Sequence, residues 1–195
     1  MILNEFLKSQ KLIFENFKNS DKCIWDIVIY GSMIRGKENP EDVDAAVIIS
    51  EKKSFAFKLE LAQKLRQSLK FQNFKFDVKV VDFNDFQDSN FLARQGIILE
   101  GFSITQGKFL SEIFGFKQYC IFKYGIQNLS LTKKRVFSYA LSGRYGEEGL
   151  KNSKKIEQLG RGVLKVPIQH SEEIESLLQS YNIDYKMEYC LVPFF

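Results

Sequence analysis

The chain has 195 residues, 45% of them hydrophobic and 27% charged, with 28 Lys and Arg against 24 Asp and Glu for a net charge of +4. That balance excludes an intrinsically disordered chain, and the length suits one ordinary domain or two small ones with a common interface. Three widely spaced cysteines and the single His170 argue against a disulfide framework or a structural zinc site, and the apolar runs fall far short of the roughly 20 residues of a membrane span.

In chain order, Leu3 to Phe17 places Leu3, Phe6, Leu7, Ile13, Phe14 and Phe17 approximately at helical spacing, which predicts an amphipathic helix. The N-terminal residues MILNEFLKSQ have no signal-peptide pattern, so a cytoplasmic location is expected. Cys23 to Tyr30 and Val43 to Ile49 are apolar runs that read as buried strands. Between them, GSMIRGKENPED predicts a turn punctuated by Gly31, Gly36 and Pro40, with one helical turn after Ser32. A helix over Phe55 to Leu69 carries Leu61, Leu65 and Leu69 four residues apart. A strand follows at Phe74 to Val81, with Phe74, Phe76, Val78 and Val80 on one face. Phe91 to Leu99 predicts a helix, Glu100 to Ile104 a short strand and Lys108 to Phe114 another helical piece.

A second pattern starts after Gly115. It predicts a strand at Tyr119 to Ile126, a helix from Ser130 to Leu141, a glycine-containing loop and a strand at Gly162 to Ile168. A helix at Glu172 to Tyr181, N-capped by Ser171, and a strand at Tyr185 to Val192 complete it. Charge also changes at this point. Residues 1–115 hold 16 basic and 16 acidic side chains, whereas residues 116–168 hold 11 and 3. Two domains are therefore expected, at 1–115 and 116–195.

Asp42 and Asp44 stand two apart at the start of a strand, so they project side by side from one face. Adjacent carboxylates repel unless a cation lies between them, and hard oxygen donors suit Mg²⁺ completed by water and substrate phosphate. Gly31 and Ser32, at the end of the preceding strand, can bring backbone amides and a hydroxyl close to such a phosphate. Asp77, mid-strand among Phe76, Val78 and Val80, would be costly if unpaired, and a shared metal site accounts for all three acids.

Gly31-Ser32, Arg35-Gly36, Asp42-Val43-Asp44 and Asp77 together resemble the signature of the nucleotidyltransferase superfamily with the polymerase-β-type fold, in particular its minimal members. The resemblance is strong over roughly residues 20–85 and extends in outline over 1–115. Glu41 stands where minimal members often have Ser, and Ala45-Ala46 where they commonly have bulky apolar residues. The resemblance implies an α/β (α+β) fold, a mixed sheet flanked by helices, followed here by a smaller α+β C-terminal domain.

It also implies nucleotidyl transfer. An acceptor hydroxyl attacks the α-phosphate of a nucleoside triphosphate, with ATP the expected donor, and pyrophosphate leaves. Two Mg²⁺ ions would be held by Asp42, Asp44 and Asp77, with Asp77 nearest the nucleophile. Gly31 and Ser32 would hold the β- and γ-phosphates. Arg35 is either a further phosphate contact or an ion-pair partner of Glu38 or Glu41.

Lys133, Lys134 and Arg135, with interleaved tyrosines, suggest RNA or DNA binding by the basic half; an acidic protein partner or a plain solvated surface fits the same charge. Two function classes follow. One is an enzyme acting on nucleic acid, a small molecule or a protein, the last resembling antitoxin nucleotidyltransferases that adenylylate a partner toxin. The other is a non-catalytic binding module on the same fold. Asp26 reads as a register residue, Asp82, Asp85 and Asp88 as a loop and cap cluster, and the phenylalanines as core.

Overall fold

The structure, a computed structural model, describes residues 2–71 and 74–194. It divides into two compact units, Met1–Phe116 and Lys117–Phe194. In the first, helix α1 (Ile2–Ser20) leads to strand β1 (Ile24–Tyr30), the one-turn helix α2 (Ser32–Arg35) and strand β2 (Asp42–Ile49). Helix α3 (Phe55–Ser68), strand β3 (Lys75–Asp82) and helix α4 (Ala93–Glu100) follow. The short strands β4 (Phe102–Ser103) and β5 (Lys108–Phe109) and the helical turn α5 (Leu110–Ile113) complete the unit.

The five strands form one mixed sheet in the order β3-β2-β1-β4-β5, with β2 and β3 parallel and the other pairs antiparallel. Strand alternation sends Ile27, Ile29, Val43, Ala45, Val47, Ile49 and Val78 to one face, where α1 and α3 cover them. Phe6 and Phe14 of α1 are fully buried there, and Phe6 meets Phe71 edge-on at 5.2 Å between ring centroids. Leu61 and Leu65 of α3, with Leu69 just after it, bury the stripe read from the sequence. Nine of the 19 phenylalanines pack into this layer.

The other face carries Val28, Tyr30, Ala46, Ile48 and Val81 under Ile97 of α4 and Leu110 of α5. Here Asp42, Asp44 and Asp77 share the face with Tyr30, at the end of the sheet where β1 finishes and β2 and β3 begin. Asp26 is wholly buried in β1 and is a structural anchor. It accepts from Thr105 Oγ1 at 2.8 Å, Gln106 Nε2 at 3.1 Å and the Ile27 amide at 2.8 Å, with Lys18 at 3.9 Å. Asp82 and Asp85 clasp Lys58 at 2.9 and 2.6 Å, and Asp82 also accepts from the Asn84 amide, closing the loop after β3.

The second unit consists of β6 (Phe116–Tyr124), α6 (Leu131–Ser142), the hairpin β7 (Gly143–Arg144) and β8 (Glu147–Glu148), the helical turn α7 (Leu150–Ser153), β9 (Glu157–Gly160), β10 (Val163–Pro167), α8 (Ser171–Ser180) and β11 (Tyr185–Pro193). Its sheet runs β11-β6-β10-β9. Cys120, Phe122, Leu164 and Val166 are buried, as are Phe137 and Leu141 of α6 and Ile174 and Leu178 of α8. Outward-facing positions carry ion pairs, Lys123 with Glu188 at 2.9 Å and Lys165 with Glu157 at 3.1 Å.

Two expectations change here. Ser171 does not cap α8: its hydroxyl donates back to the Ile168 carbonyl at 2.8 Å, tightening a 3₁₀ turn, and His170 takes the cap position without a side-chain bond. The loop expected after α6 contains β7, β8, α7 and β9. No helix among the described residues is long and apolar enough to cross a membrane.

Candidate active site

β1 ends at Gly31, whose φ of 82° and ψ of −155° lie in a region that almost only glycine occupies. The chain turns there into α2, and a Cβ on Gly31 would overlap Oδ2 of Asp44. The glycine therefore serves two ends, the turn itself and the close approach of backbone to carboxylate. Ser32 follows at the head of α2, half-buried, and its hydroxyl has no partner among the described residues.

The parallel register places Asp44 opposite Asp77, and the antiparallel register places Tyr30 opposite Asp44, so the three form one row across the sheet. Asp42 lies one pleat before Asp44 on the same face, exposed. Asp44 is half-buried and has neither a hydrogen bond nor an ion pair among the described residues. Burial holds its carboxyl above the ordinary value of 3.8, and the Asp42 charge pushes the same way, against the pull of Lys79.

Asp77 differs in having a partner, the Lys79 ammonium two residues along the same strand face. Lys79 also lies near the Tyr30 hydroxyl, which is buried without a well-formed hydrogen bond; burial, opposed by Lys79, pushes this phenol up to about 12. Among the described residues, no three of the His, Cys, Asp and Glu side chains converge tightly enough to hold a metal ion. Asp42 and Asp44 are the pair whose chemistry fits a divalent cation. They are adjacent hard oxygen donors, one of them partly desolvated and uncompensated, in a cradle that a Cβ at Gly31 would fill.

Arg35 has a partner that the sequence reading did not name. It pairs at 3.1 Å with Glu100, which is buried at the end of α4. The other oxygen of Glu100 accepts the Gly31 amide at 2.9 Å. Glu100 thus ties the Gly31 turn and α2 to α4, and the Gly31 amide is engaged within the protein instead of pointing at a phosphate. Replacing Glu100 by Ala is expected to lower stability by about 1–3 kcal/mol, because a buried amide and a partly buried guanidinium lose their acceptor. Equilibrium urea unfolding measures it; an unchanged midpoint would contradict the bracing role.

Sequence reasoning missed Glu100 and Lys79. Lys79 was legible, since the alternation that sends Phe76, Val78 and Val80 to one face sends Asp77 and Lys79 to the other. Glu100 was not, because 69 residues separate it from Gly31. In the second unit, Lys133 and Arg135 of α6 are exposed, whereas Lys134 bends back to donate to the Gln127 carbonyl at 3.0 Å.

Residues 10–106 match the family described as Polymerase beta, Nucleotidyltransferase. No curated protein matches the chain significantly. Among solved structures, a tri-AMPylated HEPN toxin in complex with the MNT antitoxin from Shewanella oneidensis aligns at 22% identity and a TM-score of 0.36, covering 50% of this chain and 71% of the other. A toxin–antitoxin structure with AMP-PNP aligns at 24% identity and a TM-score of 0.35, over 49% and 70%. A candidate nucleotidyltransferase from Sulfolobus solfataricus aligns at 16% identity and a TM-score of 0.39, over 56% and 90%.

Proposed function

With residues 10–106 forming a nucleotidyltransferase domain of the polymerase β family, we propose that the chain transfers adenylate from Mg·ATP to an acceptor hydroxyl. The observation that carries this reading is the fit of Gly31 against Asp44, with Asp42 beside it and Asp77 in the same row. In the proposed reaction the acceptor oxygen attacks the α-phosphorus, the bond from that phosphorus to the bridging oxygen breaks, and pyrophosphate leaves with the bond electrons.

Asp42 and Asp44 would hold the divalent cation. When bound, Mg²⁺ neutralises triphosphate charge and stabilises the attacking and leaving oxygens. The Ser32 hydroxyl donates to the triphosphate from the head of α2, and Arg35 and Glu100 keep that turn in place. Asp77 receives the acceptor's proton, with the Lys79 ammonium beside it on the same strand face.

The reading is tested by thermal unfolding with Mg²⁺ and a non-hydrolysable ATP analogue. A ligand at about a hundred times its Kd stabilises the parent by about 2.7 kcal/mol. Asp42→Asn should remove that stabilisation, as should Asp44→Asn. Stabilisation of both variants equal to that of the parent would overturn the assignment of these residues.

A further inference from the structure

The second unit contains a cavity of about 480 Å³ at the end of its sheet, where the chain leaves β6 for α6 and where the β9–β10 turn closes. That is within the range of roughly 300–1,000 Å³ typical of small-molecule sites. Its floor is apolar: Tyr124 and Phe137 meet edge to face at 5.6 Å between centroids, and Leu141 lies one turn further along α6. Its rim is cationic. Lys134 and Arg161 line it, and no acidic side chain does.

Three features indicate that this charge is held for an anion. Arg161, an exposed side chain, has neither a hydrogen bond nor an ion pair among the described residues, whereas Lys123, Lys154 and Lys165 of the same unit each have a carboxylate partner. Lys134 is fixed by its bond to the Gln127 carbonyl, which uses one of three ammonium protons and leaves two. Lys134, which lines the cavity, also sits with Lys133 in the first turn of a twelve-residue helix, where the macrodipole disfavours positive charge. An arginine fork and a lysine at the mouth of a cavity suit a phosphomonoester, and the aromatic pair beneath suits a flat ring.

We infer that this cavity binds an organic phosphomonoester bearing a flat heteroaromatic ring, the chemistry of a nucleoside monophosphate, with the phosphate on Arg161 and Lys134 and the ring against Tyr124, which the buried Phe137 backs. The site lies wholly within the second unit and does not depend on the proposed nucleotidyl transfer.

The test is calorimetric titration of the full chain carrying Asp42→Asn and Asp44→Asn, in EDTA, so that the first unit is silenced. The probes are the four ribonucleoside 5′-monophosphates, inorganic phosphate and a 5′-phosphorylated tetranucleotide. At least one monophosphate or the tetranucleotide should bind. Arg161→Gln and Lys134→Met, each verified as folded by circular dichroism, should weaken that binding by about ten- to a hundredfold. Binding of the tetranucleotide in preference to free monophosphate would identify the ligand as a strand end, and the reverse preference a free nucleotide; both support the site. Absence of binding by every probe, equal binding by the two variants, or inorganic phosphate binding as tightly as the ring-bearing probes would overturn the inference.

Discussion

Asp44→Asn is expected to have two opposite effects: nucleotidyl transfer falls by about a thousandfold or more, and the free protein becomes more stable by about 0.5–2 kcal/mol. The loss follows from removing the half-buried donor of the acidic pair. The gain follows from the same geometry. In the absence of nucleotide the Asp44 carboxylate is partly desolvated, unpaired among the described residues and beside Asp42. Its pKa is raised in the folded chain, so the folded state holds that proton more tightly than the unfolded state does. Stability contributed by Asp44 therefore declines as pH rises from the ordinary 3.8 through the raised value, and is level once both states are ionised. The asparagine variant lacks this decline. Its advantage over the parent should be small in acid and widen as pH rises through that window, as read by denaturant unfolding at a series of pH values. An advantage that shrinks with rising pH would contradict the account of Asp44 electrostatics.

Gly31→Ala should damage both stability and nucleotide binding. The backbone conformation alone costs about 1–3 kcal/mol in a residue with a Cβ. The added carbon would also overlap Asp44 Oδ2, so the carboxylate must move and nucleotide binding is lost with stability. Gly107 supplies the control, because its φ of +65° is also strained for other residues while the space around it is open. Gly107→Ala should lower the unfolding midpoint yet leave stabilisation by Mg²⁺ and the ATP analogue intact. Were Gly31→Ala to bind nucleotide as the parent does, the close packing of Gly31 on Asp44 would have no functional weight.

The elements that surround the acidic row were legible because their physics is local. The strand over Asp42–Ile49 carries a continuous apolar run, Ala45 to Ile49, buried on both faces, Gly31 breaks the chain where only glycine can turn, and leucines spaced by four mark α3. Of the two-residue strands, β4 falls within the short strand expected over Glu100 to Ile104, whereas β5, β7 and β8 have no periodicity to read and exist only through their partners. β9, with the sequence EQLG, is exposed throughout and lies at the sheet edge, so it lacks the alternation of a half-buried strand. In the site, Asp42, Asp44 and Asp77 could be placed on one face by counting residues along strands. The bracing of Gly31 and Arg35 by Glu100 could not, because it is created when α4 packs on the sheet. The basic block was visible as composition, but its division into carboxylate-paired lysines, exposed Lys133 and Arg135, and cavity-lining Lys134 and Arg161 arises only in the fold.

The central claim is tested most directly by incubating the purified chain with each α-labelled nucleoside triphosphate and Mg²⁺, alone and with total RNA, DNA, small metabolites or extract protein, and following label and pyrophosphate together. The account predicts that ATP labels one acceptor pool, with one pyrophosphate released per label, and that Asp77→Asn abolishes both. Label transferred equally well by Asp77→Asn, or no transfer from any triphosphate to any pool, would contradict it.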